Sequence, residues 1–272
     1  MQALAERLAE AAGGKALAKI DVLSFAGLKT FDPDPMSLRG RALVGTGRRG
    51  KYLELDFGDG QRILVHLSQG GRVDVEDPPK ATKPKGAVVR FTFADGPAFL
   101  VKEFGTERKA GWWVLGPGDD GPLERLGPEA LSDEFATFVR TSAERRRVHT
   151  ILRDQRTVAG IGRGYTDDIL HHARLSPYAA LGSLTPEQRD QLVASIHEVL
   201  AQGLEKERRR TGGLPSKLGD GWIVHKANGQ PCPRCGDTLH HVSYESHEVV
   251  YCPACQTGGK VLADRRLSRL LK

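Results

Sequence analysis

The chain has 272 residues, 39% of them hydrophobic, with 40 Lys and Arg against 34 Asp and Glu, a formal charge of +6 and a pI of about 9.2. That length leaves room for two cores of ordinary size. No stretch is long and apolar enough to span a bilayer, and no secretory pattern is visible. We therefore expect a reducing, cytoplasmic compartment and no membrane partner, which sets aside membrane transport and disulfide-stapled secreted scaffolds. The charge is uneven. Residues 1–140 hold 20 Lys and Arg and 20 Asp and Glu, whereas residues 141–272 hold 20 and 14 and so carry the whole +6. A basic C-terminal half fits a polyanionic partner, and on charge alone it fits a solvated surface equally well.

In chain order, residues 2–12 (QALAERLAEAA) place Leu4, Leu8 and Ala11 at helical intervals. Short alternating runs follow: KIDVLSF, RALVGTG, KYLELDF, RILVHL, VVRFTF, AFLVKEF and WWVLG. Gly, Asp and Pro separate them at near-regular spacing, which reads as a β-sandwich or barrel. From Ser132 the period becomes helical. Ser132 is a predicted N-cap for SDEFATFVRTS, and RRRVHTILRDQ and GYTDDILHHARL continue as helices. The long helix after Leu184 opens on Thr185 as cap, Pro186 at its first position and Gln188 placed to complete a capping box. TGGLPSKLGD (211–220) breaks it, and GGKVLADRRLSRLLK (258–272) reads as a tail in which Leu262, Leu267, Leu270 and Leu271 form a short amphipathic helix, either packed on the segment before it or making a second contact with a polyanionic partner.

All four cysteines lie in two Cys-x-x-Cys pairs, Cys232/Cys235 and Cys252/Cys255, sixteen residues apart. This is four-thiolate zinc spacing, and two such loops close a tetrahedral ion with no open position, so the site is structural. Disulfides or a redox pair are the competing reading, disfavoured in a reducing compartment. Leu239 to Val250 has room for a β-hairpin, so one Zn²⁺ would clamp the base of a two-stranded finger. Between two helical segments, TVAGIGRGYTDDIL (157–170) alternates Gly160, Gly162 and Gly164 around Arg163. Glycines here allow close backbone approach, and the following helix start suits a phosphate. An ordinary tight helix–helix turn also accounts for the glycines.

Three stretches together resemble the formamidopyrimidine-DNA glycosylase / endonuclease VIII family of base-excision repair enzymes. DQRTVAGIGRGYTDDIL resembles its helix–two-turn–helix. VHKANGQPCPRCG through YCPACQ resembles its zinc finger. GRRGKYLELDF with ILVHLSQGGRV resembles its N-terminal strands, where the family reads roughly RRAKYL and HLGMSG. The resemblance implies an α+β fold: an N-terminal β-sandwich with a flanking helix (1–118), a helical helix–two-turn–helix domain (119–220), and a four-cysteine zinc hairpin finger with tail (221–272). It implies a monomeric DNA glycosylase and abasic-site lyase that acts on duplex DNA carrying damaged bases or abasic sites.

Residue by residue, the resemblance makes Lys51 the lysine that contacts phosphate near the reacting sugar and assists elimination. It places DNA contacts at His66, Gln69, Arg108, Lys109, Gly162, Arg163, Tyr165 and His247, and the basic run from Arg145 to Arg147 is expected to add phosphate contacts. Departures accompany these matches. Gln69 stands where many members place a methionine wedge, and Ala110 stands for an intercalating phenylalanine. Arg163 replaces an asparagine, and His247 replaces a finger arginine. The 211–220 loop is short, so a large base-capping loop is not expected. The family begins Pro-Glu-Leu-Pro-Glu-Val, the proline amine being the nucleophile, and enters this same first helix. Met1 falls about where that valine stands. We expect the true start upstream, an initiating GTG having been read as Met1. The competing readings are a catalytically impaired paralogue that binds damaged DNA without cutting it and an unrelated zinc-finger regulator.

Overall fold

A computed structural model describes residues 1–104, 107–210, 221–244 and 247–263. The chain divides into two compact units, Met1–Glu124 with Glu207–Leu218 and Arg125–Lys206 with Gly219–Lys272.

The first unit opens with α1 (Gln2–Ala12), which buries Leu4, Ala5, Leu8 and Ala12 on one face. Eight strands follow: β1 (Leu17–Val22), β2 (Gly45–Arg49), β3 (Tyr52–Asp56), β4 (Arg62–His66), β5 (Gly71–Glu76), β6 (Ala87–Phe93), β7 (Ala98–Glu103) and β8 (Gly111–Leu115). They form two antiparallel four-stranded sheets, ordered β1-β6-β7-β5 and β2-β3-β4-β8. β3 shows why the sequence folds this way. Leu53 and Leu55 point inward while Tyr52, Glu54 and Asp56 stay half-exposed, the period of two that a one-sided sheet needs. Side chains of both sheets share one core, and Phe91 of β6 meets Trp112 of β8 edge-to-face at 5.5 Å. Each such buried aromatic contributes about 2–3 kcal/mol through burial. α1 lies against β2, where the Thr46 hydroxyl donates to the Ala5 carbonyl at 2.6 Å.

Two strand readings change. RALVGTG enters its sheet only at Gly45. β5 was not among the expected runs, because Arg72, Asp74 and Glu76 alternate with its apolar residues and resemble a solvated edge. Arg72 and Glu76 are in fact buried, and Glu76 is neutralised by Arg90 of β6 at 2.9 Å. A charged strand is stable inside only with such a partner.

The second unit is built from α2 (Asp133–Thr141), α3 (Val148–Arg153), α4 (Arg163–His172) and α5 (Pro186–Arg208), followed by the hairpin β9 (His240–Tyr244)–β10 (His247–Tyr251) and the short α6 (Pro253–Gln256). Only the end of α5 groups with the first unit. The helix starts follow the sequence reading. The Phe135 N–H donates to Ser132 Oγ at 3.2 Å. The Thr185 N–H donates to Gln188 Oε1 at 3.0 Å, and the Gln188 N–H donates back to Thr185 Oγ1 at 3.3 Å, the reciprocal capping box. The helices share their core with Val242, Val249 and Tyr251 of the hairpin. Hairpin and helices therefore fold as one body within this unit. The expected break at 211–220 lies outside the described residues, as do residues 264–272 of the expected tail helix. Among the described residues no helix is long and apolar enough to cross a membrane.

Candidate functional site

In the first unit, Lys51 sits in the β2–β3 turn, where Gly50 takes φ 56°. The register puts Tyr52 opposite His66 and His66 opposite Gly111, so the ends of three strands meet there. The Tyr52 ring lies 4.8 Å from His66 and 5.5 Å from Trp113. Burial, then the charge of Lys51, holds His66 below the ordinary imidazole value. A neutral imidazole thus stands beside a cation.

Gln69 is exposed on the turn after β4, and Arg108 and Lys109 are exposed on the β7–β8 connection. Two devices order these loops. The Phe104 N–H donates to the Gly70 carbonyl at 3.0 Å, joining them. Buried Glu103 accepts the N–H groups of Lys109 (2.9 Å) and Ala110 (3.0 Å), which fixes the chain just after Arg108. Ala110 is itself buried, 4% exposed, so it presents no side chain outward.

In the second unit the glycine turn and the hairpin lie side by side. Gln155 braces the turn: its Nε2 donates to the carbonyls of Arg153 (3.1 Å) and Ile161 (2.9 Å), and its Oε1 accepts the Gly160 N–H (3.0 Å). Gly160 takes φ 102°, a conformation that side chains resist. Gly162 is the N-cap of α4, with no side chain capping it and no acidic residue in the first turn, so the positive end of the helix stays open to an anion. Arg163 is exposed at that end. Gly164 serves packing instead: a Cβ there would meet the Trp222 indole at 2.6 Å. Tyr165 meets Trp222 edge-on at 4.9 Å and lies over Gly203 of α5, where a Cβ would come within 2.4 Å of its hydroxyl.

Two buried carboxylates on α4 carry the segment leading into the hairpin. Asp168 accepts the N–H groups of Ile223 (2.9 Å), Val224 (2.9 Å) and His225 (3.2 Å). Asp167 Oδ2 bonds His225 Nδ1 at 2.7 Å and accepts the Val250 N–H of β10 at 3.3 Å. Burial pushes both carboxyls above the usual range, and these donors oppose it. Sequence reading singles out neither aspartate, because nothing local marks the pair as a strut.

His247, at the start of β10, joins a stack. Its ring lies 5.0 Å from His149 of α3 and 5.2 Å from Tyr244, and His149 lies 4.5 Å from Tyr244. Its Nε2 is 3.2 Å from His149 Nε2, and Arg153 Nη1 is 3.0 Å from its Nδ1. Burial, then Arg153, lowers His247 to about 4 and His149 to about 3, so both rings are neutral at physiological pH. The basic run before α3 divides its work. Arg146 is consumed internally by Glu144, Asp154 and Thr157. Arg147 lies over Tyr178 at 4.6 Å, and Arg145 stays exposed.

The four cysteines meet at the hairpin base with all Sγ atoms within 4.8 Å of one another. Cys232–Cys255 is 3.9 Å, and Cys235 lies 3.5 Å from both Cys252 and Cys255. A zinc ion with bonds of about 2.3 Å to four tetrahedral sulfurs needs about 3.8 Å between them, so the donor set fits one Zn²⁺. Four protein ligands leave no open position, and the metal would act on folding alone. His171 of α4 reaches this site, its Nε2 3.2 Å from Cys232 Sγ, and Arg234 donates to the His171 carbonyl at 2.8 Å. An N–H donor of this kind typically orients a ligating sulfur, and it binds the elbow helix to the finger.

A two-sheet N-terminal unit, a glycine-kinked helical elbow and a four-cysteine hairpin finger define a protein of the helix–two-turn–helix, zinc-finger class. The models for the formamidopyrimidine-DNA glycosylase N-terminal domain and H2TH domain match residues 1–113 and 126–212. The formamidopyrimidine-DNA glycosylase of Laribacter hongkongensis is 35% identical over 83% of this chain and 86% of its own length, and that of Symbiobacterium thermophilum is 33% identical over 93% and 87%. An uncharacterized formamidopyrimidine-DNA glycosylase-like protein of Mycobacterium tuberculosis is 43% identical over 54% of this chain and 94% of its own. The Lactococcus lactis Fpg in complex with abasic-site DNA has the same fold, with TM-score 0.80 at 23% identity over 94% of this chain and 97% of that one. The chain belongs to the formamidopyrimidine-DNA glycosylase family.

Proposed function

We propose that the protein is a DNA glycosylase and abasic-site lyase of base-excision repair, acting on duplex DNA that carries damaged bases or abasic sites. The observation that carries this reading is the packing of the hairpin on the glycine elbow. It gathers Arg153, Arg163 and His247 beside an uncapped helix start, all three within residues 141–272, the stretch of sequence that carries the whole +6. Cations and open helix N–H groups position phosphates without reading bases. In this reading Gly162, Arg163 and Tyr165 seat one strand, His247 acts beside them through the arginine it abuts, and Arg145 adds an outer contact.

In the first unit, Lys51 sits beside neutral His66, suited to contact a phosphate and to move a proton during elimination. Gln69 fills the space of a displaced base, and Arg108 faces the orphaned partner with Lys109 beside it. Gln69 is a weaker wedge than an apolar side chain, and buried Ala110 supplies no intercalating ring. The lesion preference is accordingly redirected relative to members that carry both wedges.

The resemblance puts the nucleophile on a proline amine, followed by a glutamate, ahead of the first helix. Borohydride trapping on abasic-site duplex tests the reading, using this chain and one carrying Pro-Glu-Leu-Pro-Glu ahead of Met1. A covalent adduct with the extended chain is the expected result. If neither chain traps, the lyase reading fails and the non-cutting binder remains.

A further inference from the structure

Three other arginines, one buried and two half-buried, are matched to oxygen. Arg90 has Glu76 and the Thr82 carbonyl, Arg146 has Glu144 and Asp154, and Arg189 has the carbonyls of Leu184, Val139 and Ser142. Arg153 differs. At the end of α3, its guanidinium meets the ring nitrogens of His247 and no carboxylate or carbonyl among the described residues. Asp167 is near enough to act on it electrostatically, yet its Oδ2 is already taken by His225 and the Val250 N–H. Arg163 is near enough for its charge to act on Arg153 and His247 alike.

Gln155 ties the Arg153 carbonyl to that of Ile161, two residues before Arg163, so two guanidinium groups act on one another beside neutral imidazoles that cannot compensate them. Like charges held together and partly desolvated cost free energy unless an anion joins them. The cost is built in by rigid parts. Gln155 holds the Arg153 carbonyl against the elbow, and the His149–Tyr244–His247 stack fixes the ring that Arg153 abuts. His149 is 2% exposed, so the stack is anchored in the core.

We propose that Arg153 is a phosphate-binding residue, which together with Arg163 takes one backbone phosphate of the bound strand, and that His247 is a positioning residue that aims the Arg153 guanidinium. Two guanidinium forks around one phosphate match its oxygens in a way a single cation does not. This rests on the DNA-binding reading above.

The test is duplex binding by the full zinc-loaded chain across a salt series, on undamaged and abasic-site duplex. Arg153→Gln should bind about tenfold more weakly at ~0.1 M salt, and its log–log salt slope should shrink by about 0.9, one phosphate's worth. Arg153→Lys should recover the slope and part of the affinity. Arg140→Gln, which removes an exposed cation paired with Asp190, should change neither. His247→Ala should weaken binding in the parent and add nothing in the Arg153→Gln background, which a merely structural ring would not show. A folded Arg153→Gln chain with the parent's salt slope overturns the assignment. Phenylglyoxal modification of the unaltered chain, read by peptide mass spectrometry, decides the matter without a variant: duplex should protect both Arg153 and Arg163, and protection of Arg163 alone also overturns it. A parent chain that binds no duplex refutes the DNA reading itself, a different outcome.

Discussion

Truncating Asp168 to alanine should release the finger's lead-in from α4. The side chain is 2% exposed and accepts three backbone N–H groups, of which Val224 belongs to a fully buried residue. A buried donor left unsatisfied costs about 1–3 kcal/mol. Against that stands the relief of a desolvated carboxylate, since burial pushes Asp168 above its usual range. Taking the buried Val224 donor at full cost and the two half-buried ones at a fraction gives a net loss of about 2–4 kcal/mol. That is about 30- to 700-fold in the ratio of docked to undocked finger. Asp168→Asn keeps an acceptor oxygen and sheds the charge, so it should lose only about 1 kcal/mol. Amide hydrogen exchange across residues 222–225 and 247–251, together with the rate of zinc transfer to a chromophoric chelator, reads the loss. An alanine variant whose exchange and zinc release match the parent, or an asparagine variant worse than alanine, would refute the strut argument.

Acid should loosen the second unit. The folded value of His149, about 3, lies below its ordinary 6.5, so between those values the unfolded chain binds the extra proton. Stability must therefore fall as pH drops below about 6.5, by about 2 kcal/mol at pH ~5 from this group alone. Chemical denaturation at both pH values should show the fall, and His149→Gln should flatten it. Cys232→Ser, or chelation of zinc, should abolish hairpin order and weaken DNA binding about tenfold or more, while hydrogen exchange in β3 and β4 stays at the parent's level. Lys51→Ala should leave duplex binding within about tenfold but shrink its salt slope by about one contact, and should slow strand cleavage by the extended chain at least tenfold. Cleavage kinetics equal to the parent's would remove Lys51 from the reaction.

The sequence alone determined whatever is encoded by short-range chemistry. Thiolates in two Cys-x-x-Cys loops have few uses, so Cys232, Cys235, Cys252 and Cys255 identified a metal-ready cluster before any fold was known. Caps at Ser132 and Thr185 act within three residues, and the alternation in β3 is a property of one strand. β5 escaped because its buried charges look like surface until Arg90, fourteen residues beyond Glu76, is placed beside it. Only the tertiary structure made Asp167 and Asp168 struts, bringing them to donors more than fifty residues away. Likewise it set Arg153 against His247, 94 residues on, and stacked that ring on His149, 98 residues back. No local period records such meetings. They arise when separate elements bury a common core, and that burial decides which charges find a partner and which are left for a ligand.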